Sequence, residues 1–152
     1  MSIISEGFGK IDYCDSFLII KSTPNNVDQI TTEIFRMSKL ANCLMKLRNS
    51  IVKVFGLDGV NEDQPQEASY YPIGSRAVYF RVTDRNDNEI VMAEDDKHLN
   101  FRTSVLLERK EDVTHIYLTT IVHYNNFFGR FYFFFVKPFH RYLLKAQMKR
   151  VS

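Results

Sequence analysis

Residues 126–150 read NFFGRFYFFFVKPFHRYLLKAQMKR, and this stretch decides the fold. Its apolar residues recur at helical rather than alternating intervals, so the spacing predicts one long C-terminal helix. Pro138 removes a backbone donor midway and is expected to kink that helix rather than end it. Phe128, Phe131, Tyr132, Phe135, Phe139, Tyr142, Leu143 and Ala146 fall on one broad side, with Arg130, Lys137, Arg141 and Lys145 opposite. Phe133, Phe134, Leu144 and Met148 intrude on the basic side, which leaves the helix apolar nearly all round. One side is expected to fill a groove; the other needs a cover. A homodimer formed through this helix is the expected cover, and a basic-aromatic helix lying on a membrane surface is the alternative.

Working back from this helix, the period changes to two. Val113–Tyr124 and Lys97–Arg109 read as long strands, the latter with Leu99, Phe101, Val105 and Leu107 on one face. Glu89–Glu94 and the alternation of Val78, Phe80 and Val82 give two more, with Arg85-Asn86-Asp87-Asn88 as a tight turn and Asp95-Asp96 as a corner. These segments form an antiparallel meander. Tyr13–Ser22 is a first strand, ended by Thr23-Pro24-Asn25-Asn26. Asn26 or Asp28 can cap a short helix to about Met37, and Ser38 a second one carrying Leu40, Leu44, Leu47, Ile51 and Phe55, closed by Gly56. The polar stretch Leu57–Gly74 is expected to be a mobile loop or a lid.

The chain has 152 residues, 45% of them hydrophobic and 25% charged, which suits one domain over residues 1–152. Such a length buries roughly 70% of the unfolded surface, enough for a core or a ligand cavity. A nucleic-acid binder usually shows a stronger or more segregated basic balance than a net charge of +2, which argues against a nucleic-acid partner. Cys14 and Cys43 read as buried free thiols in a reducing cytoplasm. Glu6, Asp12 and Asp15 interrupt the N-terminal apolar runs, so no signal peptide is expected. The run Phe131–Val136 falls far short of the ~20 apolar residues of a spanning helix, so integral membrane association is not expected either.

The order of strand, two helices, antiparallel strands and long terminal helix makes the chain α+β: a curved antiparallel sheet wrapping its C-terminal helix. This order resembles the helix-grip fold of the START and Bet v 1-like superfamily (SRPBCC). The segments Leu44–Asn49, Glu94–Arg102, Thr119–Val122, Gly129–Tyr132 and Val136–His140 are together similar to a bacterial family known as domain of unknown function 2867. The resemblance runs from about Tyr13 to Met148. It implies a small helix-grip domain, found in some longer chains behind a nucleotide-binding reductase domain. It carries over no reductase activity and no catalytic residue.

Arg48 is the most informative single residue. On a helical wheel it falls about 40° from Leu44, inside the stripe of Leu40, Leu47, Ile51 and Phe55, while Lys39, Lys46 and Lys53 lie opposite. A cation there needs an anionic or strongly polar partner. A protein carboxylate, snorkelling at the core's edge, and a ligand in a pocket are all open readings. Glu94, Asp96, His98, Asn100 and Arg102 share one parity if the chain is extended, opposite Leu99 and Phe101. They form a solvated outer face unless a bend at Asp95-Asp96 re-aims Asp96 or His98 inward. His123 ends the last strand, and Arg130 and His140 flank the helix. The spacing fits no metal motif, the cysteines and serines lack a base, and no phosphate loop exists, so neither metal nor cofactor is expected.

The expected function is binding of a small apolar or amphipathic molecule in an aromatic-lined cavity. Its expected ligand contacts are Arg48, Asp96, His98, His123, Tyr132, Phe135 and His140. One alternative is an enzyme of the cyclase or hydrolase kind using Asp96, His98 or His123 as acid and base. The other is an interaction protein whose grip is filled by its own rings.

Overall fold

A computed structural model describes residues 1–36, 53, 66–95 and 97–151. The expected second helix, with Arg48 and Cys43, and the corner residue Asp96 lie outside them. The described elements are β1 (Tyr13–Lys21), α1 (Val27–Phe35), β2 (Arg76–Ala77), β3 (Phe80–Arg85), β4 (Glu89–Asp95), β5 (Leu99–Lys110), β6 (Val113–Tyr124) and α2 (Phe127–Val151). The strands form one antiparallel sheet in the order β1-β6-β5-β4-β3-β2. The meander is therefore as expected, with the short β2 added at its far edge.

The sheet has an inner and an outer face, set by the two-residue period. Leu99, Phe101, Thr103, Val105 and Leu107 of β5 point inward and stand opposite Tyr124, Val122, Thr120, Leu118 and Ile116 of β6. Ile30, Ile34, Leu144 and Met148 close the inner face from α1 and α2, in one cluster with Ile90, Val105 and Ile116. The α1 helix starts on a capping box: the Asn26 side chain accepts from Gln29 N (2.9 Å) and the Gln29 side chain accepts from Asn26 N (3.0 Å). Such a cap contributes about 1 kcal/mol.

The outer face has its own cover. Ile3, Ile4 and Phe8 pack on Val91 and Ile121. This N-terminal segment is fastened by the fully buried Glu89, whose carboxylate accepts from Ser2 Oγ (2.5 Å) and Ile3 N (2.9 Å). Arg102 donates to the carbonyls of Ile4 (3.2 Å) and Glu6 (2.6 Å) and lies over the Phe8 ring. With both faces covered, β4 carries an unbroken buried run from Glu89 to Ala93. Cys14 lies on β1 but is an exposed free thiol, not a buried one, because its side chain alternates with the inward Tyr13 and Asp15.

The described end of the polar loop is anchored at one residue, Tyr71. Asp28 and Arg85 form a buried bidentate pair (2.9 and 3.2 Å), and Asp28 Oδ1 also accepts from Tyr71 N (2.8 Å). The Tyr71 carbonyl accepts from Arg85 Nη1, its hydroxyl meets Thr32 Oγ1 (2.6 Å), and Tyr71 is 1% exposed. A buried carboxylate and guanidinium each lose hydration, so the pair holds only because these extra bonds occupy the remaining donors and acceptors.

The α2 helix runs unbroken through Pro138. Its rotation differs from the expected one. Gly129, Tyr132, Phe133, Leu144, Gln147 and Met148 are buried, whereas Phe128, Phe131, Phe134, Phe135, Phe139 and Tyr142 are exposed. The cause is steric. A Cβ on Gly129 would stand 1.9 Å from the His98 carbonyl oxygen, so only this residue lets the helix touch the start of β5. Once Gly129 faces the sheet, Phe133, Val136, His140 and Leu144 follow at helical spacing.

Candidate functional site

A cavity of about 150 Å³ lies between the inner face and the middle of α2. Leu99, Phe101 and Val122 form its sheet wall, and Tyr132, Phe133 and Val136 its helix wall. It opens between two packed clusters that share no residue. Tyr132 and Phe133 join Leu99 and Val122 at one end, and Leu144 and Met148 join α1 at the other. Ring contacts stiffen the walls: Tyr13–Phe133 at 4.9 Å, Phe80–Phe101 at 5.3 Å and Tyr124–Phe133 at 5.7 Å between centroids.

The remaining wall adjoins one unusual residue. Tyr79, in the turn between β2 and β3, and Phe80, the first residue of β3, both line the cavity. Val78, which precedes Tyr79, takes φ 59°, a conformation costing a β-branched residue of order 1–3 kcal/mol. Two bonds with Gln66, each 2.9 Å, and near-complete burial hold it there. Burial also raises the Tyr79 hydroxyl above its ordinary pKa, so that group is a neutral O–H at the cavity wall.

The polar part of the lining is small. Thr120 Oγ1 donates to Thr103 Oγ1 at 3.4 Å across the β5–β6 pair, and both hydroxyls are almost fully buried. His140 and Gln147 contribute from the helix. Gln147 is 5% exposed, and its Oε1 accepts no hydrogen bond among the described residues. Neither the threonine pair nor Gln147 was singled out from the sequence. Their signal was present as polar residues at inward positions of two apolar strands and one apolar helix row.

Of the seven expected contacts, the structure brings Tyr132 and His140 to the cavity. Phe135 is 48% exposed and on the outward side of α2, because Gly129 rather than the count of rings sets the rotation. His98 sits at the mouth of β5. Asn126 Oδ1 caps α2 by accepting from Gly129 N (3.0 Å), and the same side-chain amide meets His98 Nδ1 (3.0 Å from Nδ2, 3.2 Å from Oδ1). The Phe128 ring stands beside this imidazole. His123 faces outward, since Val122 and Tyr124 on either side face inward. Its Nδ1 meets Asp12 Oδ2 at 2.9 Å, and the same oxygen accepts from Tyr124 N at 2.8 Å. The Tyr124 amide, then Lys10 and His123, hold Asp12 below the ordinary carboxylate pKa against the opposing effect of burial. Arg48 and Asp96 lie outside the described residues.

The parity row beginning at Glu94 is divided by the β4–β5 turn. Glu94 pairs with Phe101 and so shares the inner face, while Asn100 and Arg102 lie on the outer one. An Asp–His couple does exist, as Asp12–His123, but the sheet separates it from the cavity. No group of three or more His, Cys, Asp or Glu side chains suited to a metal occurs among the described residues. No described helix is long and apolar enough to cross a membrane.

This architecture is that of an α+β protein whose antiparallel sheet grips a C-terminal helix around an internal cavity. The chain belongs to the family described as protein of unknown function (DUF2867), whose model matches residues 8–147. Two solved structures are similar to it over most of their length. The crystal structure of the Mll3558 protein from Rhizobium loti has 17% identity, covers 91% of this chain and 97% of that one, and gives a TM-score of 0.41. The crystal structure of Ara h 8.0201 has 12% identity, covers 91% and 98%, and gives 0.39. At these values the likeness says nothing of ligand or reaction. No curated protein matches the chain in sequence.

Proposed function

We propose that this protein binds a small apolar or amphipathic molecule between its sheet and its C-terminal helix. The observation that carries this reading is a cavity of about 150 Å³ walled by rings and aliphatic side chains, with a few polar atoms inside it. An apolar cavity of this order takes one benzene-sized ring. The exposed free thiol of Cys14 supports action in a reducing cytoplasm. Of the residues expected for the enzyme alternative, His123 stands on the outer face beside Asp12, and Asp96 lies outside the described residues.

Native mass spectrometry of protein purified from its own host tests the binding reading. A retained small molecule is expected, lost in Leu143→Phe, which fills the cavity, and weakened in Arg48→Ala. A ligand-free spectrum, together with no binding in a small-molecule screen, overturns it.

The outward rings of α2 support the homodimer as a separate reading, with Phe127 and Phe134 each 73% exposed. Charge opposes it. Six of the chain's twenty Lys and Arg but none of its eighteen Asp and Glu fall in α2, so two such helices face to face repel. Sedimentation across the micromolar range decides: a concentration-dependent dimer lost in Phe134→Ser supports self-association, and a monomer throughout rejects it.

A further inference from the structure

The cavity reading above leaves the ligand's polar chemistry unspecified, and the inference here rests on that reading. Gln147 lines the cavity, and its Oε1 is a buried polar atom that accepts no hydrogen bond among the described residues. It is 95% buried in the inward row of α2, next to Leu144 and Met148. A buried amide oxygen without a donor is costly, and neither Leu144 nor Met148 beside it can supply one. The nearby Thr120 gives its proton to Thr103 rather than to Gln147.

We propose that Gln147 Oε1 is the acceptor for an O–H or N–H group of the ligand. The occupant is then a neutral molecule of about one ring with a hydroxyl or amino group at one end, a phenol or an aniline in chemical class. A purely hydrocarbon ring fills the volume but leaves the oxygen bare.

Two probes of nearly equal size separate these cases. Phenol carries the donor; fluorobenzene does not and is the more hydrophobic of the two. A cavity that sorted ligands by apolarity alone would prefer fluorobenzene. Calorimetric titration of the full chain is expected to show phenol binding about tenfold or more tightly than fluorobenzene. In Gln147→Met, which keeps the length and removes the acceptor, the order reverses. In the wild-type protein the Gln147 side-chain amide resonances shift on adding phenol and move far less with fluorobenzene, a readout that does not depend on how the variant folds.

Equal affinities, or fluorobenzene preferred by the wild type, overturn the assignment of Gln147 while leaving a ligand cavity in place. Binding of neither probe overturns both. Phenol selectivity that survives in Gln147→Met places the acceptor elsewhere and also overturns the proposal.

Discussion

Gly129→Ala is the most direct test of how α2 is set on the sheet. In most helical positions this change stabilises, by up to about 1 kcal/mol, because alanine has less backbone freedom to lose. Here the new Cβ would stand 1.9 Å from the His98 carbonyl oxygen and 2.7 Å from its carbon. To reach even the 3.0 Å that real Cβ atoms respect, helix and strand must part by about 1.1 Å. The obstacle is backbone rather than a movable side chain, and the His98 carbonyl is also held by Asn125 N at 2.9 Å. Overpacking of this kind costs ~1–3 kcal/mol, and the upper part of that range applies where backbone meets Cβ. Net of the propensity gain, a loss of about 2 kcal/mol is expected, equivalent to a fall in Tm of about 4–8 °C for a chain this long. Urea titration and thermal melts of wild type, Gly129→Ala and the exposed-site control Arg141→Ala measure it. If Gly129→Ala is as stable as wild type or more so, the steric account of the helix rotation is wrong.

Two further outcomes follow from the described pairs. Asp28→Ala strands the Arg85 guanidinium and the Tyr71 amide in a buried setting and should cost about 3–5 kcal/mol in urea midpoint analysis; a loss below about 1 kcal/mol would show that the pair is solvated. Asp12 titrates lower in the folded chain than its ordinary value of 3.8, so its contribution is whole above that value and is lost as pH falls through and below it. The acid limb of the stability profile, followed by urea midpoints down to about pH 2, should therefore flatten in Asp12→Asn, and an unchanged slope would contradict the assignment.

Much of the sheet was legible because its signal is local. Alternation in Leu99–Leu107 and in Val113–Tyr124 fixes which side chains share a face, and the turn at Lys110-Glu111-Asp112 pairs the two strands whatever lies around them. The start of α1 was legible for the same reason, since Asn26 and Gln29 satisfy each other within one turn. The rotation of α2 was not. A helix apolar on every side gives no moment to read, and the deciding contact is a missing methyl group opposite a carbonyl thirty-one residues earlier. Phe135 was misplaced as a ligand contact on that account alone. The covering role of Ile3, Ile4 and Phe8 escaped notice because three apolar residues among polar ones show no period. Their placement depends on Glu89 and Arg102, far along the chain. Tyr71 is a similar case: it is buried by a salt bridge between Asp28 and Arg85, neither of which is near it in sequence.

The two clusters that flank the cavity make α2 a beam resting on two supports. One is the Asn126 cap and Gly129 contact with Tyr132 and Phe133; the other is Leu144 and Met148 against α1. The span between them, about Val136 to Leu143, stands over the middle of the cavity, which Tyr132, Phe133, Leu144 and Gln147 line from the supports themselves. A guest that has to push α2 away from the sheet cannot do so by bowing this span, since a helix bends little over two turns. It must lift one support. Guests that fit would leave amide exchange unchanged at both ends of α2, and oversized ones would speed it at one end alone, so the pattern of exchange reports the size limit without knowledge of the natural ligand.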